Sequence, residues 1–128
     1  MTDKLDLNPI KAWLPKIDNP LLISGPCSLE TEKQTIETAK LLAKDKRVFV
    51  YRGGIWKPRT RPGSFEGVGS IGLKWLQKVK EETGLPVGTE VANAQHTKEA
   101  LKAGADVLWL GARSTASPFV VQDIADAV

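Results

Sequence analysis

The chain has 128 residues, and its 18 Lys and Arg against 15 Asp and Glu give a formal net charge of +3. That charge is too small to indicate a nucleic-acid binder. Its single cysteine, Cys27, excludes an internal disulfide and favours a reducing compartment. No apolar run approaches the roughly 20 residues that cross a bilayer, and residues 1–16 lack the apolar segment of a signal peptide. We therefore expect a cytoplasmic protein that binds neither nucleic acid nor membrane.

Four short apolar runs predict buried strands, at residues 21–24, 47–51, 86–90 and 106–110. They lack a regular apolar and polar alternation, which is typical of a parallel sheet covered on both faces. Between and after them, helical spacing of apolar residues predicts helices over 30–44, 70–83, 93–103 and 117–128. Ser70 and Ser117 are expected to cap the second and fourth helices, and Gly84 and Gly104 to end the second and third. The order βαβαβαβα predicts a parallel sheet with right-handed crossovers.

This order fits half of a (β/α)₈ barrel, the TIM-barrel form of the α/β class, since a whole barrel takes about 250 residues. The last helical pattern runs to Val128 without a stop signal. We therefore expect a truncated or cleaved chain in which residues 1–20 are an N-terminal extension and residues 21–128 supply the first four βα units. Open sheet edges invite pairing. The expected partner is a complementary C-terminal half or another copy of the chain in a homo-oligomer.

Reactive side chains follow the predicted carboxyl ends of all four strands: Cys27, Arg52, Glu90 and Arg113. This is the end at which barrel and open-sheet enzymes place their sites. A run of basic residues and glycines between residues 52 and 67 extends the second connection, and a long loop of this kind is commonly functional. Arg and Lys there could bind carboxylate or phosphate; the alternative is a solvated basic loop.

Two further features leave alternatives open. Cys27 could be buried core filler or a metal ligand, and His96, the single histidine, is expected on the surface. The glycines of residues 67–72 match the dinucleotide-binding spacing, with Glu90 downstream. That motif must directly follow a strand, so the intervening basic loop argues against it.

Several motifs together resemble the metal-dependent 3-deoxy-D-arabino-heptulosonate 7-phosphate (DAHP) synthases of the short, simple-barrel branch. In chain order they are Gly-Pro-Cys-Ser at 25–28, Arg52 with Lys-Pro-Arg-Thr at 57–60, Ser-Phe-Glu-Gly at 64–67, Thr-Glu at 89–90 and Gly-Ala-Arg-Ser at 111–114. The resemblance covers about residues 21–128. The related 3-deoxy-manno-octulosonate 8-phosphate synthases share the fold but differ at the Lys-Pro-Arg-Thr element, so they are the second choice.

The resemblance implies an enzyme that condenses phosphoenolpyruvate with erythrose 4-phosphate and releases phosphate, at the head of the shikimate pathway. It implies that Arg52 and Lys57 hold phosphoenolpyruvate, that Lys57 also lies near the aldehyde, and that Glu90 holds a water or orders the arginines. The erythrose 4-phosphate would contact Arg59 and Thr60 beside Pro58, and the phosphate of phosphoenolpyruvate would contact the Ala112 amide and Arg113.

The resemblance also implies that Cys27 is one ligand of a divalent metal ion, with manganese, iron or zinc all open. The remaining ligands would come from the second half of the barrel. We therefore expect the chain to be inactive alone. The alternative from a different class is a half-barrel that binds phosphate without catalysis, although such a protein would not need the thiol.

Overall fold

The computed structural model describes residues 7–13 and 20–128. Its sheet has four parallel strands, which are adjacent in chain order. Because right-handed crossovers then lead from each strand to the next, the connecting helices share one face of the sheet. The predicted strands are confirmed, with shifts of one residue at some ends; they are β1 (Leu22–Ser24), β2 (Val48–Arg52), β3 (Val87–Val91) and β4 (Val107–Leu110).

The four predicted helices are also present: α2 (Glu32–Leu42), α3 (Ile71–Thr83), α4 (Ala94–Lys102) and α6 (Pro118–Asp126). Two four-residue helices, α1 (Ile10–Trp13) and α5 (Ala112–Thr115), were not predicted. One turn is too short to show the 3.6-residue repeat of apolar residues by which a helix is recognised. Apart from α1, most of the expected extension over residues 1–20 lies outside the described residues.

The predicted helix ends are correct at the glycines, and both predicted serines occupy the N-cap position without the expected side-chain hydrogen bond. Gly84 and Gly104 have φ of 72° and 79°, the left-handed conformation that ends a helix. Ser70 and Ser117 do precede α3 and α6, but neither side chain makes a capping hydrogen bond. Ser70 Oγ instead donates to Glu99 Oε2 at 2.5 Å and so links the start of α3 to α4.

The hydrophobic core lies between the sheet and its helices. Tyr51 of β2 is fully buried there, and its hydroxyl donates to the carbonyl of Thr35 on α2 at 3.2 Å. Burial raises the pKa of this phenol well above its usual range. Because successive strand residues point to opposite faces, Arg52 projects to the face opposite the helices that connect the strands. Strand and helix residues that meet in the core include Ala39, Leu76, Val79, Val87, Val91, Ala100 and Ile124.

Within the described sheet, β1 and β4 each pair on one side only. Leu22 and Ile23 of β1 are 38% and 42% exposed, unlike the fully buried Val50 on β2. Beside β4, a cleft of about 380 Å³ opens between α4 and α6 and is lined mainly by apolar side chains. Apolar surface is therefore exposed at both edges of the described sheet, beside β1 and beside β4. None of the helices in residues 7–13 and 20–128 is long and apolar enough to cross a membrane.

Candidate active site

The loops that follow β1 and β2 run side by side at the carboxyl end of the sheet. Ser28 and Gly54 form a parallel bridge, and the Leu29 amide donates to the Gly54 carbonyl at 3.0 Å. This pairing brings Lys57 Nζ to 3.3 Å from Cys27 Sγ. Cys27 is exposed, so the alternative that it is buried core filler is wrong.

The contact between Lys57 and Cys27 requires glycine at position 54. A Cβ there would lie 2.5 Å from Lys57 Nζ and 2.7 Å from the Cys27 carbonyl oxygen. Both distances are too short for non-bonded atoms, and the carbonyl belongs to backbone that cannot easily move. Gly54 therefore leaves the space through which the ammonium group reaches the thiol.

The ammonium group of Lys57 makes Cys27 more acidic. Its hydrogen bond and charge lower the pKa of the thiol, a slight burial opposes the shift, and Arg52 lowers the pKa further. Lys57 itself is only 9% exposed, so its charge is partly shielded from water. The site thus favours a thiolate beside a fixed cation.

We expect iodoacetamide to alkylate Cys27 at a rate that reaches half its maximum at lower pH in the folded protein than in the chain unfolded in denaturant. Replacing Lys57 by Met removes the largest cause of the lowered pKa, so the half-maximal pH should rise. Since the sequence has one cysteine, mass spectrometry of the intact chain reports this group alone. Identical pH profiles for the native protein and Lys57→Met would contradict the geometry.

Arg52, the last residue of β2, is held from two directions on the face opposite the connecting helices. Its Nη1 donates to the Pro26 carbonyl at 3.1 Å, and its guanidinium carbon lies 4.5 Å from the centre of the Trp109 ring. Sequence reasoning missed Trp109. The available signal was its place on the last predicted strand, two residues before Gly111. In the structure Trp109 is in register with Glu90 of β3.

The basic loop between β2 and α3 folds back on itself. The Lys57 amide donates to the Glu66 carbonyl at 2.8 Å, and the Gly69 amide donates to the Ile55 carbonyl at 2.9 Å. Beyond Lys57 the loop turns outward, so Arg59 and Thr60 are exposed and Pro58 is half-buried. One hydrogen bond steadies this tip, from Arg59 Nε to the Phe65 carbonyl at 2.8 Å. The alternative of a wholly solvated basic loop is therefore wrong for Lys57 and fits only the tip.

An aromatic stack joins the basic loop to α4, and it was not predicted from the sequence. Trp56 and His96 stack with 4.1 Å between ring centres and 3° between planes. His96 is half-buried, which contradicts its expected exposure, because the indole ring covers one of its faces. Its Nδ1 accepts a hydrogen bond from the Ala92 amide at 3.3 Å, and burial lowers its pKa. The pair ties the residue next to Lys57 to the first turn of α4.

Glu90 and Arg113 reach the same end of the sheet from β3 and α5. The Glu90 carboxylate lies so close to Gly111 that a Cβ at position 111 would overlap its Oε1. Ala112 and Arg113 follow at the exposed start of α5. In residues 20–128, none of the ion pairs includes Glu90, Arg52, Arg59 or Arg113. The structure thus brings Cys27, Lys57 and Arg52 together. It places Glu90 and Arg113 near Gly111, and in residues 20–128 neither forms an ion pair with that group.

Cys27 suits one position in a metal site, because its sulfur is exposed and its pKa is lowered toward the thiolate. In the part of the chain that the structure describes, no group of three or more His, Cys, Asp or Glu side chains could hold a metal ion. Catalytic metal sites of this kind use at least three protein ligands. The described residues therefore fit one ligand of such a site and not the whole of it.

Comparison with known proteins agrees with these motifs. The sequence model of the DAHP synthetase I family matches residues 15–127. The chain belongs to the DAHP synthetase I family. Among curated members of related sequence, it is 39% identical over 93 residues to the phospho-2-dehydro-3-deoxyheptonate aldolase of Thermotoga maritima, covering 73% of this chain and 27% of that protein. It is 45% identical over 82 residues to the 2-dehydro-3-deoxyphosphooctonate aldolase of Hydrogenovibrio crunogenus, covering 59% of this chain and 30% of that protein.

The family fold is confirmed by a solved structure. The crystal structure of the Thermotoga maritima phospho-2-dehydro-3-deoxyheptonate aldolase (DAHP synthase) superposes with a TM-score of 0.70 at 31% identity, covering 84% of this chain and 30% of that one. The four βα units are therefore part of a (β/α) barrel, as predicted. The chain spans 27% to 30% of the length of these two relatives.

Proposed function

We propose that this chain is part of a DAHP synthase, which condenses phosphoenolpyruvate with erythrose 4-phosphate and releases inorganic phosphate. The observation that carries the proposal is the arrangement of Lys57 and Arg52 around Cys27, on the face and at the end of the sheet where barrel enzymes act. Two anions must approach each other before the carbon–carbon bond can form. Fixed cations at this end offset their repulsion and orient the reacting atoms.

Each cation has a proposed ligand. The carboxylate of phosphoenolpyruvate binds Arg52 and Lys57, whose half-buried and buried positions strengthen the attraction. The exposed tip with Arg59 and Thr60 binds the phosphate and a neighbouring hydroxyl of the aldose, and Pro58 stiffens the turn between the two groups. Arg113 and the Ala112 amide bind the phosphate of phosphoenolpyruvate, and Glu90 holds a water near the reacting carbon.

Cys27 is the proposed ligand from this chain for a divalent manganese, iron or zinc ion, whose other ligands lie outside the chain. When bound, such an ion would polarise the aldehyde of the aldose phosphate for attack. Lys57 lowers the pKa of the Cys27 thiol and so favours the thiolate form that a metal ligand needs. An exposed reduced thiol also suits the cytoplasm, which is the proposed location.

We also propose that the open edges at β1 and β4 pair with the rest of a barrel or with another copy of the chain. The half-exposed Ile23 and the apolar cleft beside β4 support this, because unpaired strands with apolar surface associate. Alone, the chain supplies one metal ligand and part of the anion site. We therefore expect no turnover without the missing part.

The second candidate is the condensation that makes the eight-carbon product, with arabinose 5-phosphate as the aldose. The observation that favours it is the similarity to 2-dehydro-3-deoxyphosphooctonate aldolases, at 45% identity over 82 residues. Against it stands Lys-Pro-Arg-Thr at 57–60, the element in which DAHP synthases differ from that group. The length of the aldose phosphate that is accepted distinguishes the two.

The deciding experiment measures phosphate release by the chain alone and by the chain mixed with the remaining barrel of a DAHP synthase as a separate polypeptide. We expect no turnover alone and turnover with erythrose 4-phosphate in the mixture, which we call the complete enzyme. In the complete enzyme, Arg59→Ala should raise the KM for erythrose 4-phosphate by roughly 10- to 100-fold, and Arg113→Ala should raise the KM for phosphoenolpyruvate by the same factor. Turnover by the chain alone would contradict the proposed assembly, and a preference for arabinose 5-phosphate would favour the second candidate.

A further inference from the structure

Arg52 is held without being neutralised. Its Nη1 donates to the Pro26 carbonyl at 3.1 Å, and its guanidinium carbon lies over the Trp109 ring at 4.5 Å. The Cys27 thiol is also close enough for Arg52 to lower its pKa, but in residues 20–128 no carboxylate forms an ion pair with Arg52. A carboxylate partner would also fix the guanidinium, but it would cancel the charge that an anionic ligand needs. A carbonyl oxygen and a π face attract the cation while leaving its net charge in place.

The contact with Trp109 depends on what lies between the two strands. Arg52 is in register with Gly88 on β3, and Trp109 on β4 is in register with Glu90. Since Gly88 has no side chain, the guanidinium can pass over β3 and reach the indole ring of β4. Glu90, the nearest carboxylate in the register, makes no ion pair with it in the described part of the chain.

We propose that Trp109 is a positioning residue, whose ring face holds the Arg52 guanidinium so that its remaining N–H groups are presented to the carboxylate of phosphoenolpyruvate. This rests on the proposed function. The N–H groups of a guanidinium lie in its plane, and carboxylates bind them along the edge. The Trp109 ring lies on one side of the guanidinium, 4.5 Å from its carbon, and leaves the N–H groups on the other sides accessible. The hydrogen bond from Nη1 to the Pro26 carbonyl fixes how the group is turned. Because Pro26 adjoins Cys27, the hydrogen bond to Pro26 also fixes the position of Arg52 relative to the Cys27 sulfur.

The test replaces Trp109 in the complete enzyme by Phe, which keeps an aromatic face, and by Leu, which does not. We expect Trp109→Leu to raise the KM for phosphoenolpyruvate roughly 3- to 30-fold, the range of a partly buried cation–π contact. The KM for erythrose 4-phosphate and kcat should stay within about twofold, and Trp109→Phe should restore most of the affinity. Trp75→Leu is the matched control, because Trp75 packs on the core from α3, and it should leave both KM values unchanged.

Equal losses in the Phe and Leu variants, or a parallel rise of both KM values, would show that Trp109 only fills the barrel interior and would overturn the proposal. If Trp109→Leu fails to fold, Trp109→Met replaces it as an unbranched apolar side chain without a ring, and the same changes in KM are expected.

Calorimetric titration of phosphoenolpyruvate into the unsubstituted enzyme distinguishes a failure of the proposed function from a failure of the role of Trp109. If that enzyme binds no phosphoenolpyruvate, the proposed function fails and the role of Trp109 fails with it. If it binds and the Leu variant binds equally well, only the role of Trp109 is wrong.

Discussion

Replacing Lys57 by Met in the complete enzyme should lower kcat by about 100-fold or more, the scale at which one fixed charge that stabilises a transition state acts. Lys57 is 9% exposed and donates to Cys27 at 3.3 Å. Its removal takes away a shielded positive charge next to both proposed anions and raises the pKa of the thiol. Methionine keeps the length and the apolar contacts of the side chain, so the loss isolates the charge. Steady-state phosphate release with both substrates saturating measures the effect.

The matched control for this prediction is Lys78→Met. Lys78 is also a lysine with a close partner, Glu32 Oε1 at 2.6 Å, but it lies on the solvent side of α3 and is about half exposed. An exposed ion pair contributes little to stability, and this one is on the helix layer rather than in the site. We expect kcat within about twofold of the unsubstituted enzyme. If the two variants lost activity to the same extent, Lys57 would have no special place in the reaction.

Gly67→Ala should destabilise the protein by about 3 kcal/mol or more. Gly67 has φ of 95°, and a Cβ there would lie 2.0 Å from the Ile55 carbonyl oxygen. Ile55 is fully buried, and its carbonyl accepts the hydrogen bond from Gly69 that closes the loop. The backbone therefore cannot yield without opening the loop that carries Lys57. Thermal and urea unfolding would measure the loss of stability, and the activity should fall with it.

Gly63→Ala separates the two causes of that loss of stability, which are the backbone strain at positive φ and the overlap of the new Cβ with Ile55. Gly63 has φ of 80° in the same loop, but nothing lies within 4 Å of the position that a Cβ would take. Alanine there carries the backbone strain alone, about 1 kcal/mol. The difference between the two variants thus measures the close approach to Ile55. Equal stability losses at positions 63 and 67 would refute the tight loop closure that the structure shows.

The sequence by itself determined the βα order and the end of the sheet at which the reactive groups collect. Short apolar runs without alternation indicated buried parallel strands, and left-handed glycines such as Gly84 and Gly104 ended helices where predicted. The carboxyl ends of parallel strands share one edge by topology alone. The residues at or just after these ends, Cys27, Arg52 and Glu90, could therefore be placed at a common site before any contact was known. The Gly-Pro-Cys-Ser and Lys-Pro-Arg-Thr motifs then indicated the family that the comparisons confirmed.

Only the tertiary structure decided which of these groups touch. The hydrogen bond between Cys27 and Lys57 spans 30 positions of sequence, and the stack of Trp56 on His96 joins the basic loop to α4. Ser70 donates its hydrogen bond to Glu99 rather than capping its own helix. Such contacts depend on strand register and on how far each loop turns. Where strands are apolar throughout, the pattern of side chains does not specify the register. The pairing of Arg52 with Gly88 and of Glu90 with Trp109 therefore became visible only in the folded sheet, because a side-chain period of two tells which face a residue takes but not which neighbour it meets.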